Sequence, residues 1–86
     1  MRILIDSDIP YIKGILEPYC DVEYLKGTEF NRENVRRCDA LIVRTRTKCN
    51  ELLLRGSNVK VIATATIGTD HINLDFCKRQ GIKVYN

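Results

Sequence analysis

Two short stretches concentrate the residues of this chain that could do chemistry. Arg44-Thr45-Arg46-Thr47-Lys48 holds three cations and two hydroxyls, and Thr64-Ala65-Thr66-Ile67-Gly68-Thr69-Asp70 holds hydroxyls and a glycine leading towards a helix. The Arg44 guanidinium can grip a carboxylate or phosphate through two parallel hydrogen bonds, and Lys48 adds a point charge. Gly68 lets backbone approach a ligand closely, and a helix beginning near Asp70 would present unpaired N–H groups at its positive end. Converging, the two loops would hold a small anion such as a phosphorylated or carboxylated metabolite. A blander reading fits the same residues: threonines as strand formers, Asp70 as a cap, solvated cations. Residue types alone leave both open.

Other reactive groups offer less. Asp6 and Asp8 resemble the acidic pair of receiver domains, but the third strand ends at Arg44 instead of an aspartate, so Asp8 reads as a helix cap and Asp6 as a strand-end polar residue. His71 is the one histidine, with no partner carboxylate except adjacent Asp70, which suits a packing or supporting role. Cys20, Cys38, Cys49 and Cys77 form no Cys-x-x-Cys pair and have no histidine arrangement to activate them, so they read as reduced, mostly buried thiols without metal. Gly14, Gly27, Gly56, Gly68 and Gly81 never fall two apart, so neither a dinucleotide fingerprint nor a P-loop can be written on this chain.

The elements that must position these loops alternate. Apolar runs at Arg2–Ile5, Val22–Leu25, Ala40–Val43, Val59–Ala63 and Ile82–Tyr85 predict five strands. Between them, helical spacing predicts a helix from Pro10 to Leu16 stopped by Pro18, one after Asn31, one from Asn50 to Arg55 closed by Gly56, and one from Asp70 to Gln80. Strands alternating with short helices imply right-handed parallel crossovers, hence an α/β flavodoxin-like three-layer sandwich with a parallel five-stranded sheet.

Composition bounds the rest. Eighty-six residues make one small domain or part of a larger one. A hydrophobic content of 44% argues for a folded chain, and no apolar run approaches a membrane span. Acidic residues at 6 and 8 interrupt any signal-peptide core, so a soluble cytoplasmic protein is expected. A net charge of +3 without a basic run, with 7% aromatics and no Trp, argues against a nucleic-acid partner.

The stretch Ala40 to Lys48 followed by Asn50-Glu51 and Leu53-Leu54, together with Ala63-Thr64-Ala65-Thr66-Ile67-Gly68-Thr69-Asp70-His71-Ile72, resembles the N-terminal part of the D-isomer-specific 2-hydroxyacid dehydrogenases. Ile3-Leu4-Ile5-Asp6, Ile9-Pro10-Tyr11 and Gly81-Ile82-Lys83-Val84 agree with it, so the similarity runs the length of the chain. The resemblance implies a fragment, residues 1–86, of the substrate-binding domain of a two-domain enzyme. The whole enzyme would be an oxidoreductase acting on a small phosphorylated 2-hydroxy acid, with NAD as hydride acceptor, and a homodimer is expected. Thr45 and Thr66 carry over as substrate contacts, the backbone at Ile67 and Gly68 as the carboxylate cradle, and Arg44 and Lys48 as assisting charges. The family's catalytic Arg, Glu and His and its NAD-binding Rossmann domain lie beyond the first 86 residues, so the chain alone is expected to be inactive. A related enzyme with another substrate and a stand-alone anion-binding module are the alternatives.

Overall fold

A computed structural model describes all 86 residues. Five strands, β1 (Arg2–Asp6), β2 (Asp21–Leu25), β3 (Ala40–Val43), β4 (Val61–Thr64) and β5 (Lys83–Tyr85), pair in parallel in the order β2-β1-β3-β4-β5. This is the flavodoxin-like order expected from the sequence. Three helices complete it: α1 (Arg32–Arg36), α2 (Glu51–Leu54) and α3 (Leu74–Arg79), with a 3₁₀ turn at Gly27–Glu29.

Side-chain alternation along the strands builds two apolar layers. Leu4, Leu41, Val43 and Ile62 face one way and pack with Val35 and Cys38 at α1, Leu53 and Leu54 of α2, and Phe76 and Cys77 of α3. Ile3, Ile5 and Ala40 face the other way, against Ile9, Ile12 and Leu16. All three helices therefore share one face, and only the connection between β1 and β2 covers the other. On that second face the row Ile42, Ala63 and Tyr85 runs across β3, β4 and β5; its first two members are half-buried and Tyr85 is exposed.

Each helix starts at an asparagine. The side chains of Asn31, Asn50 and Asn73 accept from the backbone N–H of Asn34, Leu53 and Phe76, and Asn34 returns a bond to the N–H of Asn31. Such caps are worth about 1 kcal/mol each, which matters in helices of four to six residues.

Three sequence expectations fail in detail. The segment from Pro10 to Leu16 is a series of turns, with Tyr11 at φ 62° and Gly14 at φ 90°, so Asp8 caps no helix. Its apolar residues do recur at helical spacing, but the left-handed residues break the ladder, and the Glu17 carboxylate accepts instead from the Gly14 N–H and the Tyr24 hydroxyl. The last helix begins at Leu74, because Asn73 takes the cap and Asp70 lies in the preceding loop. The fourth strand begins at Val61 and extends to Thr64, which is therefore a strand residue with a buried side chain.

One close approach does require glycine. A Cβ on Gly27 would lie 2.8 Å from Asp6 Oδ2 and 3.1 Å from Thr47 Oγ1, and the Asp6 and Thr47 side chains are buried. We expect Gly27→Ala to cost about 1–3 kcal/mol, as overpacking does, whereas Gly68→Ala, with open space around it, costs little. Urea unfolding of the two variants measures the difference.

Candidate functional site

The parallel register sets Val43 beside Thr64, so the loops after β3 and β4 leave the sheet side by side at its carboxyl edge. The Ala65 N–H donates to the Val43 carbonyl at 2.9 Å and joins the two loops at their roots. They are joined again at their far ends, where the Cys49 N–H donates to the His71 carbonyl and the Asn73 N–H to the Cys49 carbonyl, both at 2.8 Å. Nothing in residue type marks Cys49 for this role, which depends on backbone alone.

Within this frame the loop after β4 presents donors. The backbone N–H groups of Thr66, Ile67, Gly68 and Thr69 make no hydrogen bond within the protein. Ile67 is 96% exposed. Consecutive free amides can hold an anion without any help from a helix end. No helix dipole acts at Asp70, because α3 begins only at Leu74. Gly68 keeps an ordinary φ with open space around it, so it leaves room for a ligand and meets no close backbone neighbour.

A hydrogen-bonded chain lies beneath these amides. His71 Nε2 sits 2.9 Å from Thr64 Oγ1, which is 2.8 Å from Thr66 Oγ1, which in turn donates to the Gly68 carbonyl at 3.1 Å. His71 and Thr64 are buried, and burial holds the His71 pKa below its usual value; Asp70 opposes that shift and Lys48 adds to it. The supporting role expected for His71 takes this concrete form.

The loop after β3 is divided among four tasks. Arg44 donates to the Asp8 carbonyl at 3.0 Å, so one arm of its guanidinium holds the connection between β1 and β2. Thr45 lines a wholly polar depression of about 160 Å³ with Asp6, Asp8, Arg44 and Arg46. Thr47 is buried and donates to the Gly27 carbonyl at 2.9 Å. Lys48 faces a separate cleft of about 680 Å³, shared with Arg32 and Arg46 on the helical side of the sheet. Arg44, Arg46 and Lys48 form no ion pair, leaving their charge available to an anion. The structure thus sets Thr66, Ile67 and Gly68 together, places Thr45 with Arg44 in the adjoining depression, and turns Lys48 towards the cleft.

Asp6 is the strand-end polar residue expected from the sequence: it closes β1, is buried, and accepts from the Asp8 N–H at 2.9 Å, bracing the depression from below. Its position at the carboxyl end of the first buried strand was the available signal. The three buried cysteines are poor nucleophiles: burial pushes the Cys49 thiol up to about 12 and raises Cys38 and Cys77 as well. Nor do the residues present suit a dinucleotide. The loop after β1 contains no glycine pair to let backbone close on a pyrophosphate.

Known proteins resemble this chain over nearly its whole length. Residues 3–86 match the family model described as D-isomer specific 2-hydroxyacid dehydrogenase, catalytic domain. The erythronate-4-phosphate dehydrogenase of Bacteroides thetaiotaomicron is 55% identical over 87 residues, covering 100% of this chain and 25% of that protein. Its counterpart in Porphyromonas gingivalis is 42% identical over 82 residues, covering 95% of this chain and 22% of the relative. Among solved structures, NAD⁺-bound 3-phosphoglycerate dehydrogenase of Entamoeba histolytica superposes with a TM-score of 0.80 at 29% identity, over 98% of this chain and 32% of that one. D-lactate dehydrogenase of Aquifex aeolicus, complexed with NAD and lactic acid, gives 0.79 at 26% identity, over 98% of this chain and 27% of that one. The chain spans about a quarter of the length of the curated relatives it matches.

The buried histidine makes stability depend on pH. Its folded pKa lies below the unfolded value of 6.5, so the unfolded chain takes up the proton first. The stabilisation is complete above about pH 6.5 and is lost as pH falls through the folded value. We expect urea midpoints to drop as pH falls below about 6.5, and to drop less in His71→Gln, which has no proton to take up there.

Proposed function

The chain belongs to the D-isomer specific 2-hydroxyacid dehydrogenase family, and from that premise we propose that it is the N-terminal part of the substrate-binding domain of an NAD-dependent dehydrogenase oxidising 4-phospho-D-erythronate to 2-oxo-3-hydroxy-4-phosphobutanoate. That reaction serves pyridoxal 5′-phosphate synthesis. The observation that carries the reading is the run of free amides at Thr66–Thr69, on the loop beside the one that carries the unpaired cations Arg44 and Arg46. A 2-hydroxy acid with a terminal phosphate carries anionic groups at both ends, and this edge of the sheet offers donors to each.

In this reading the amides of Ile67 and Gly68 take the carboxylate, which needs several donors converging on one small anion. The Thr66 hydroxyl adds a further donor from the same loop. Thr45 contacts the substrate from the adjoining depression, where Arg44 and Arg46 lower the cost of bringing the dianionic phosphate near. The chain's contribution is to bind and orient the acid. NAD is the hydride acceptor of the whole enzyme and is held by a domain outside these residues, in keeping with the lack of a glycine-rich turn here. The substrate domain is likewise completed elsewhere: the half-buried row Ile42 and Ala63 with exposed Tyr85 is covered by a later segment. No helix is long and apolar enough to cross a membrane. The whole enzyme is a cytoplasmic homodimer in this proposal.

The test is an assay of the whole protein with NAD⁺ and 4-phospho-D-erythronate, against D-lactate and 3-phosphoglycerate. NADH formation with the phosphoerythronate is expected to dominate. Preference for either competitor moves the assignment to a sibling enzyme, and inertness to all three overturns it. Thr66→Ala is expected to lower kcat/KM by about 10- to 100-fold, the range for a lost hydrogen bond to a charged group. The 86-residue chain alone should form no NADH.

A further inference from the structure

Counting protons along the chain beneath the amide loop gives it a direction. Three contacts link His71 Nε2 to Thr64, Thr64 to Thr66, and Thr66 to the Gly68 carbonyl. Each needs one proton, and the two hydroxyls supply only two. The third has to come from Nε2. With Nε2–H, His71 donates to Thr64, Thr64 to Thr66, and Thr66 outwards to the Gly68 oxygen, so every contact is satisfied. With the proton on Nδ1 instead, Thr64 donates inwards to the ring, and the single Thr66 proton can satisfy Thr64 or the Gly68 carbonyl but not both. One contact would then face lone pair to lone pair, and the Thr66 hydroxyl would no longer be held outwards.

We propose that His71 is a positioning residue for substrate: its Nε2–H, acting through the buried Thr64 hydroxyl, holds the Thr66 hydroxyl as an outward donor. The inference rests on reading Thr66 as a substrate contact and goes beyond it by naming what orients that hydroxyl. On binding, the Thr66 proton leaves the Gly68 carbonyl and points to the substrate carboxylate, a rotation about one bond that leaves the two inner hydrogen bonds intact. The carbonyl it releases belongs to an exposed residue, so water can satisfy it. The ordering is built in before the ligand arrives, because His71 and Thr64 are both buried and the His71 carbonyl is clamped by the Cys49 N–H. His71 does not touch the reacting atoms and transfers no proton. Burial favours its neutral form at neutral pH, and the proton count along the chain puts that form's one ring proton on Nε2.

Nitrogen-15 NMR of the folded chain at neutral pH tests the direction first. The expected result is a protonated, pyrrole-type Nε2 and a bare, pyridine-type Nδ1; the reverse assignment overturns the proposal. Binding tests the consequence, with 4-phospho-D-erythronate titrated against the Ile67 and Gly68 amide signals. His71→Gln, whose side-chain amide can place an N–H where Nε2 stood, is expected to bind within about twofold of the parent chain. His71→Leu and Thr64→Val should each weaken binding by about tenfold, and the double variant should be no weaker than either, as two links of one chain require. Equal binding by His71→Leu, or additive losses, overturns the relay. If the parent chain does not bind the phosphoerythronate, the substrate reading fails, and the nitrogen assignment still decides which way the chain of hydrogen bonds runs.

Discussion

Cys49 holds the site together without using its side chain. Its N–H and carbonyl clamp His71 and Asn73, so the loop after β3 ends where the loop after β4 enters its helix. With the Ala65–Val43 bond at the other end, the two loops become the sides of one frame, closed at root and tip. The free amides of Thr66–Thr69 sit on one side of that frame and the cations of residues 44–48 on the other. A buried backbone pair of this kind is costly to open, since each freed group would lose its partner away from water. The thiol beneath serves as apolar filling and is fully buried.

Below each loop a small polar cluster takes up the groups that water cannot reach. Under the loop after β3, Asp6 accepts from Asp8 and Thr47 donates to Gly27, with the missing side chain of Gly27 leaving the space the two share. Under the loop after β4, His71, Thr64 and Thr66 form the second cluster. No buried side-chain nitrogen or oxygen lacks a partner. Satisfied in this way, buried polar groups make the loops rigid, and rigidity is what a cradle of backbone amides needs if it is to hold one anion in one orientation.

The two faces of the sheet are unequal, and the topology explains why. From the order β2-β1-β3-β4-β5, right-handed crossovers put the connection between β1 and β2 on one face and the other three connections on the opposite one. The helical face therefore closes into a 15-residue core, while the other keeps a small cluster of three buried residues. The covering segment also lacks helix, and its exposed Tyr11 and Ile15 contribute little to that core.

What could be read from residues alone was whatever depends on local pattern. Five apolar runs marked the strands because alternation and continuous burial leave a period in the sequence. Asn31 and Asn50 marked two helix starts, and Asn73 carried the same sign but was passed over in favour of Asp70. The loops that hold the candidate site were legible too, since the carboxyl edge of a parallel sheet follows from strand order. The reading of Pro10–Leu16 as a helix failed because helical spacing shows only which residues are buried, not the φ angles of those between them. Tertiary structure alone decided that the amides of residues 66–69 stay free, that Lys48 turns to a separate cleft, and that Cys49 ties the loops. Those features are made by main-chain groups, which are the same in every residue, and by contacts between residues some 20 positions apart. Only packing brings them together.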